Sequence, residues 1–333
     1  MYEDAKEKSI ISQDAYQLIK IYIGRLEDND IPVIFNLRHL RKILKIPKQK
    51  QSAYFGVNRN EMYRKFMIPK KSGGYRKIEA PSEELKLRQL WIKENIIDKF
   101  KISDSAQGFR KNHSIYGNAL PHVGKELVIN IDIKDFFPSI TYQKVFKFFR
   151  YIGYTNQVSH LLTKMCTNVD NVLPQGSPAS PSLSNIVLLK MDKRLSKLAG
   201  AVECDYTRYA DDITFSGKKV IKSLVPIICK IIEEEGYDVN KGKLRLQYSN
   251  QRQEVTGLTV NKKVSLSKRT IKEIENAIYY CKKYGVQEHM TRIKCDKSFY
   301  KEHLYGIAYF IKMIDKEKGK KYLEELNRIE WLY

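Results

Sequence analysis

The sequence predicts an α+β fold. Strand-like apolar runs and helix-like 3.6-residue patterns follow one another without strict alternation. The strand-like runs are short and end in carboxylates or turn residues, and the stretch from Ser267 onward is helical in pattern throughout. A doubly wound parallel sheet requires regular alternation and is disfavoured.

Taken in order, residues 11–28 and 36–46 read as short amphipathic helices. Residues 60–69 and 75–80 read as two strands joined by Lys70-Lys71-Ser72-Gly73-Gly74, a hairpin signal. A long helix is expected after Pro81. Residues 126–132, ELVINID, form an apolar run that ends in a carboxylate, the pattern of a buried strand. Helices are expected over 141–152, 155–167 and 179–199, followed by two β-rich runs, CDYTRYA and ITFSG, around Asp211-Asp212. Residues 218–235 are helical in pattern, 243–265 return to strands, and the helices after Ser267 carry Lys/Arg-rich faces.

Composition narrows the function. The 333 residues are 42% hydrophobic and 29% charged, an ordinary soluble composition, and no run of 18 apolar residues suggests a membrane span. The opening MYEDAKEKSII does not read as a secretory signal. Five cysteines, an odd number with no CxxC pair, argue against a disulfide framework or zinc knuckle and fit a reducing cytoplasm. The net charge of +22 points to a polyanionic partner, nucleic acid ahead of an anionic membrane surface. Half of that excess lies in residues 31–79, with thirteen Lys/Arg against two Asp/Glu, interleaved with Tyr54, Phe55, Tyr63, Phe66 and Tyr75. Cations suit phosphates, and aromatic rings suit bases or sugars.

Two segments carry chemistry. Asn130-Ile131-Asp132-Ile133-Lys134-Asp135-Phe136-Phe137 and Tyr209-Ala210-Asp211-Asp212 each place aspartate at the end of an apolar strand. Side by side, such strands bring Asp132 and Asp211 together. Carboxylates so placed repel unless a divalent cation neutralises them. Mg²⁺ takes oxygen ligands and completes its shell with nucleotide phosphates, and a pair of ions activates a hydroxyl while stabilising a leaving pyrophosphate. The competing reading of Asp211-Asp212 is a plain hairpin turn.

Further segments follow in a fixed order: Leu173-Pro174-Gln175-Gly176-Ser177-Pro178, then Gly236-Tyr237-(x)₂-Asn240-(x)₂-Lys243, then Val255-Thr256-Gly257. With the aspartate segments they resemble the palm of reverse transcriptases over about residues 60–260. Asn118-Ala119-Leu120-Pro121-His122 and the VTG triplet are similar to segments of bacterial retron reverse transcriptases. No maturase or endonuclease extension is evident, which disfavours a group II intron relative.

The resemblance implies a right-hand polymerase. Residues 1–59 would be a helical extension and the start of the fingers, 60–125 the fingers, and 126–265 the palm, with a fingers–palm segment around 150–180. Residues 266–333 would form a small helical thumb. It implies RNA-directed DNA synthesis with two Mg²⁺ ions, dNTP substrates and a cognate structured noncoding RNA. Priming would come from a guanosine 2′-hydroxyl, leaving a branched RNA–DNA molecule, and an effector protein of anti-phage defence would be a partner. No membrane partner is expected. The alternatives are a group II intron-like or diversity-generating enzyme, and a non-catalytic RNA-binding scaffold.

The resemblance also assigns residues. Asp132, Asp211 and Asp212 are the catalytic carboxylates and metal ligands, and Lys243 stands at the place of a general acid or is simply part of a basic strand. Arg76 and Lys77 would bind the triphosphate, with a solvated hairpin tip as the alternative. Asp135 would face the triphosphate or cap the next helix. Phe137 falls at the steric gate that rejects a ribose 2′-hydroxyl, or belongs to the core. Gln175 and Gly176 would approach the nascent base pair, or form a plain turn. Lys70, Lys71, Asn118, His122, Thr256, Gly257 and Tyr309 are the candidate RNA contacts. Asn118 and His122, at i, i+4 spacing, would share one helical face, on which a buried histidine bonded to structure is the alternative to an RNA contact, and Tyr309 alternatively packs between helices.

Overall fold

The computed structural model describes residues 12–70, 73–295 and 298–331. Its contacts divide the chain into two units built from interleaved segments. One comprises Met1–Phe109, Ile133–Ser196 and Cys229–Val239; the other comprises Arg110–Asp132, Lys197–Ile228 and Asn240–Tyr333. The division therefore interleaves the chain.

In the first unit, strands β1 (Tyr63–Pro69) and β2 (Tyr75–Pro81) form an antiparallel hairpin in register from Tyr63↔Pro81 to Pro69↔Tyr75. Around the tip, Gly73 and Gly74 take φ of +88° and +74°, and Gly74 accepts a bond from the Lys70 N–H. Pro81 closes the strand, and Ser82 starts helix Glu83–Asn95 by accepting the Leu85 N–H on its Oγ. Most of β1 and half of β2 are exposed. The helix expected over 179–199 is two helices, Ser180–Val187 and Leu189–Ala201. The N–H of Leu188 is shared between the Ser184 and Ile186 carbonyls, which tightens the last turn and ends the first helix.

The second unit holds the sheet that matters for chemistry. Strands β3 (Leu127–Asp132), β4 (Asp205–Tyr209), β5 (Asp212–Gly217) and β6 (Arg245–Tyr248) lie in the order β4-β5-β3-β6. Leu127, Val128 and Ile129 are fully buried and Ile131 nearly so, as the near-continuous apolar run predicts for a central strand. A small hairpin, β7 (Glu254–Val255) and β8 (Leu258–Thr259), packs Val255 and Leu258 with Val128 and Ala119. The strand pattern over 243–265 thus resolves into three short strands and turns.

Past Ser267 the second unit is helical: Lys268–Tyr284, Val286–Arg292, Tyr300–Ile314 and Lys316–Asn327. Their shared core includes Ile274, Ile278, Leu304, Ile311 and Leu326. A Cβ on Gly319 would stand 2.2 Å from the Lys312 Cα, so only glycine lets the last two helices approach so closely. Among the described residues no helix is long and apolar enough to cross a membrane.

Candidate active site

Strand register builds the site. Asp132 lies directly opposite Asp212 in the β3–β5 ladder, and opposed residues project to one face of a sheet. Tyr209 pairs with Asp212 across the β4–β5 ladder, leaving Ala210 and Asp211 as a two-residue connection. Ala210 adopts φ +57°, a left-handed conformation that alanine seldom takes. The fully buried Arg208 donates from Nη1 to the Ala210 carbonyl at 3.1 Å, bracing the turn. The residue that faces Asp132 across the ladder is therefore Asp212, with Asp211 in the adjoining turn.

The segment after Val239 completes the constellation. The Asn240 N–H donates to the Asp132 carbonyl at 2.8 Å, and its Nδ2 reaches Asp132 Oδ1 at 3.3 Å. Lys243 Nζ donates to Asp132 Oδ2 at 2.7 Å. The Asp132 hydrogen bond, followed by the charges of Asp132, Asp211 and Asp212, raises the Lys243 pKa despite partial desolvation. Lys243 thus starts protonated, as a proton donor must. The Asp212 carboxyl keeps an open side to solvent, yet loss of hydration among neighbouring atoms pushes its pKa up to about 6. The charges of Asp211 and Asp132 add to this, while Lys243 and Arg245 oppose it.

A cavity of about 470 Å³ opens on this cluster, lined among others by Asp132, Asp212, Tyr209, Lys243, Arg245, Thr256 and Gly257. Thr256 and Gly257 turn between β7 and β8 at φ +46° and +82°, the two positive values of a tight hairpin connection. Gln247 docks this hairpin on the sheet. Its Oε1 accepts the Glu254 N–H at 2.7 Å, and its Nε2 donates to the Glu254 carbonyl and to Asn130 Oδ1.

The donor set fits a hard divalent cation. Three carboxylates meet at one sheet end, desolvation and then their repulsion raise the Asp212 pKa, and an ammonium already offsets part of the negative charge. Among the described residues no three His, Cys, Asp or Glu side chains close into a ready-made cage.

The structure decides between the two readings of Asn118 and His122. Both are fully buried, so neither side chain is available to touch RNA, and the expected contact is corrected to an internal strut. Asn118 Nδ2 reaches Thr256 Oγ1 at 3.4 Å and steadies the turn. His122 bridges Ser216 Oγ at 2.6 Å and Thr207 Oγ1 at 2.8 Å, tying β5 to β4. Burial holds the His122 pKa down to about 4. Tyr309 is exposed on its helix, with Lys312 Nζ 5.8 Å from the ring centroid.

In the first unit, Arg76 is exposed on β2. Lys77 is engaged, with Nζ 3.1 Å from Glu79 Oε1 and 3.7 Å from Asp170 Oδ2. Glu79 is buried, also accepts Asn168 Nδ2 at 2.6 Å, and donates its N–H to the Gln175 carbonyl at 2.9 Å. Gly176 sits beside it at φ +140°, where a Cβ would come within 2.8 Å of the Glu79 carbonyl oxygen. Gln175 and Gly176 are thus held against β2 through backbone contacts. Phe136 is buried, whereas Phe137 is only partly so, packed 6.0 Å from the Phe109 ring. Asp135 is exposed at φ +45° and its side chain makes no capping bond, which removes the helix-cap reading. Lys70 is exposed, and Lys71 lies outside the described residues.

Sequence reading did not single out Arg208, Asn240, Arg245 or Gln247 as parts of the site. Asn240 had a signal, since it stands inside the motif that ends at Lys243.

Comparison with known proteins agrees with this geometry. Residues 68–263 match the family of reverse transcriptases (RNA-dependent DNA polymerases). The chain is 36% identical to the retron Ec86 reverse transcriptase of Escherichia coli, over 93% of this chain and 94% of that protein. It is 33% identical to the retron Mx162 reverse transcriptase of Myxococcus xanthus, over 80% of this chain and 61% of that protein. Among solved structures, a telomerase from Candida albicans aligns at TM-score 0.43 and 12% identity, over 78% of this chain and 58% of that one. The right-hand polymerase fold expected from the motifs is that of the family, whose members use a divalent metal and an RNA template. With its carboxylates gathered at one sheet end, the chain belongs to the retron reverse transcriptases, the RNA-directed DNA polymerases of retrons.

Proposed function

We propose that this enzyme copies a cognate structured noncoding RNA into DNA from a guanosine 2′-hydroxyl, leaving a branched RNA–DNA product. The observation that carries the catalytic part is the meeting of Asp132, Asp212 and Lys243: opposed carboxylates with an ammonium bonded to one of them. Identity to a retron enzyme over nearly the whole chain supports the branched product.

In this reading Asp132, Asp211 and Asp212 would hold two Mg²⁺ ions, which when bound would supply charge neutralisation at the attacking hydroxyl and the leaving pyrophosphate. Lys243 gives its proton to the departing pyrophosphate oxygen. Arg76 pairs with dNTP phosphate oxygens through its planar fork, and Lys77 adds charge once drawn from Glu79. Asp135 faces the triphosphate. The partly exposed Phe137 excludes a ribose 2′-hydroxyl, leaving Phe136 to the core. Gln175 and Gly176 support the nascent pair, while Thr256 and Gly257 hold the primer strand. Lys70, Lys71 and Tyr309 contact RNA. We assign residues 60–125 to fingers, 126–265 to palm and 266–333 to thumb. A defence effector protein is the proposed partner of the RNA–DNA product.

Purified enzyme given an RNA template, dNTPs and Mg²⁺ is expected to extend. D211A/D212A is expected to lose extension by about a thousandfold or more while keeping its circular dichroism spectrum. Wild-type activity in that variant would defeat the catalytic assignment. RNA purified with the chain is expected to carry DNA that a debranching enzyme releases; linear cDNA alone would defeat the branched-product reading.

A further inference from the structure

The longest acid-free stretch of the charged N-terminal region runs from Ile31 to Asn60. Within it, helix Leu37–Ile43 places Arg38, Arg41 and Lys42 at i, i+3 and i+4 spacing, the interval of one helical face, and the turn after the helix adds Lys45. Leu40, Leu44 and Ile46 are buried, so this stripe is the outward counterpart of an apolar one. Together with Lys48, these cations line a groove of about 760 Å³.

Two features separate this groove from an ordinary solvated surface. Among the described residues none of the five cations has a carboxylate partner, although neighbouring Lys50 pairs with Glu84 at 2.5 Å. The backbone beneath them is also fixed. Ile46 N–H bonds to the Arg41 carbonyl at 2.8 Å, Arg41 Nε returns to the Ile46 carbonyl at 3.2 Å, and Arg88 Nη2 holds the Lys45 carbonyl at 3.1 Å. Lys45 occupies a left-handed position, φ +51°, where glycine is the usual residue after a helix. A favourable helix dipole accounts for cations in the last turn but not for Lys48 beyond it.

The lining contains no aromatic ring. Single strands are gripped by stacking as well as charge, whereas a duplex offers mainly phosphates. We infer that this groove is a second nucleic-acid site that binds the phosphate backbone of double-helical RNA, separately from the residues that perform synthesis. The inference rests on the reading that the enzyme handles a structured RNA.

The test uses the full chain and a blunt 20-base-pair RNA duplex as probe. K42A/K45A/K48A is expected to bind it about tenfold more weakly at 0.1 M salt, and the slope of log K against log salt should fall by about two to three. On a short oligo(rA)–oligo(dT) primer–template, kcat and KM should stay at wild-type values. K48E alone, outside the helix, should weaken duplex binding in the same direction and serves as the check should the triple variant misfold. Unchanged duplex affinity and salt slope in both variants would overturn the site. So would a raised KM on the short primer–template, which would assign the cations to the synthetic path. Loss of binding to phosphatidylserine vesicles with intact RNA binding would also overturn it, in favour of a membrane surface. Inactivity of the wild-type enzyme on any template would instead strike the synthetic reading and leave the duplex measurement standing.

Discussion

Two antiparallel ribbons carry most of the functional residues, and they are built in opposite ways. The β3–β5 ribbon is almost entirely buried and emerges only at its end, where Asp132 and Asp212 face one another. The β1–β2 ribbon is exposed along most of its length, with Phe66, Met67, Ile68 and Tyr75 open to solvent beside Arg76. The first fixes atoms by packing, as a reaction centre requires. The second leaves large side chains free to meet a ligand, and its buried anchors include Glu79 on β2 and Tyr63 on β1. Rigidity lies where charges must be positioned, and exposure where something must be captured.

The contrast can be broken experimentally, beginning with the interior of the catalytic sheet. His122 has a folded pKa near 4 against an ordinary value of 6.5, because burial disfavours the imidazolium. The unfolded chain therefore takes up this proton first as pH falls. Stability present in full above pH 6.5 is lost progressively toward pH 4, by about 3 kcal/mol at most from this group. Urea denaturation at pH 7.5, 6 and 4.5 should show the loss, and H122Q should flatten that part of the profile. An equally steep profile in the variant would mean that the sheet interior is not the acid-sensitive element.

Lys243 sharpens the comparison at the strand end. K243M is expected to lower kcat by about a hundredfold with little change in KM for dNTP, the pattern of a proton donor. A raised KM with normal kcat would make it a binding residue. On the exposed ribbon, R76A is expected to raise KM for dNTP about tenfold with a smaller effect on kcat. If steady-state kinetics instead show a kcat loss as large as that of K243M, the division between positioning and capture fails.

Much of the site was legible because aspartates at the ends of apolar runs come in the company of ordered segments that a plain hairpin turn does not have. Asp132, Asp211 and Asp212 stood out for that reason, and the β1–β2 hairpin for its two glycines. Other features depended on facts that the sequence does not contain. The i, i+4 spacing of Asn118 and His122 suggested a common face but could not say whether that face looked inward. Nothing in CDYTRYA marks Arg208, which is wholly buried beneath the turn it braces. Lys77 looked available for phosphate, yet it stands two residues before Glu79 on the same strand and pairs with that carboxylate, which Lys65 also approaches from across the ladder. The α+β class followed from element order, whereas the interleaving of two units follows from strand pairing between distant segments.

That interleaving bears on how the enzyme matures. Strand β3 leaves the ribosome long before β5 and β6, its neighbours in the sheet. Its apolar residues must wait for partners encoded much later, and such non-local pairing slows folding and exposes the nascent chain to aggregation. The aspartates cannot be brought together until most of the polypeptide has been made, so a truncated translation product would be unable to polymerise.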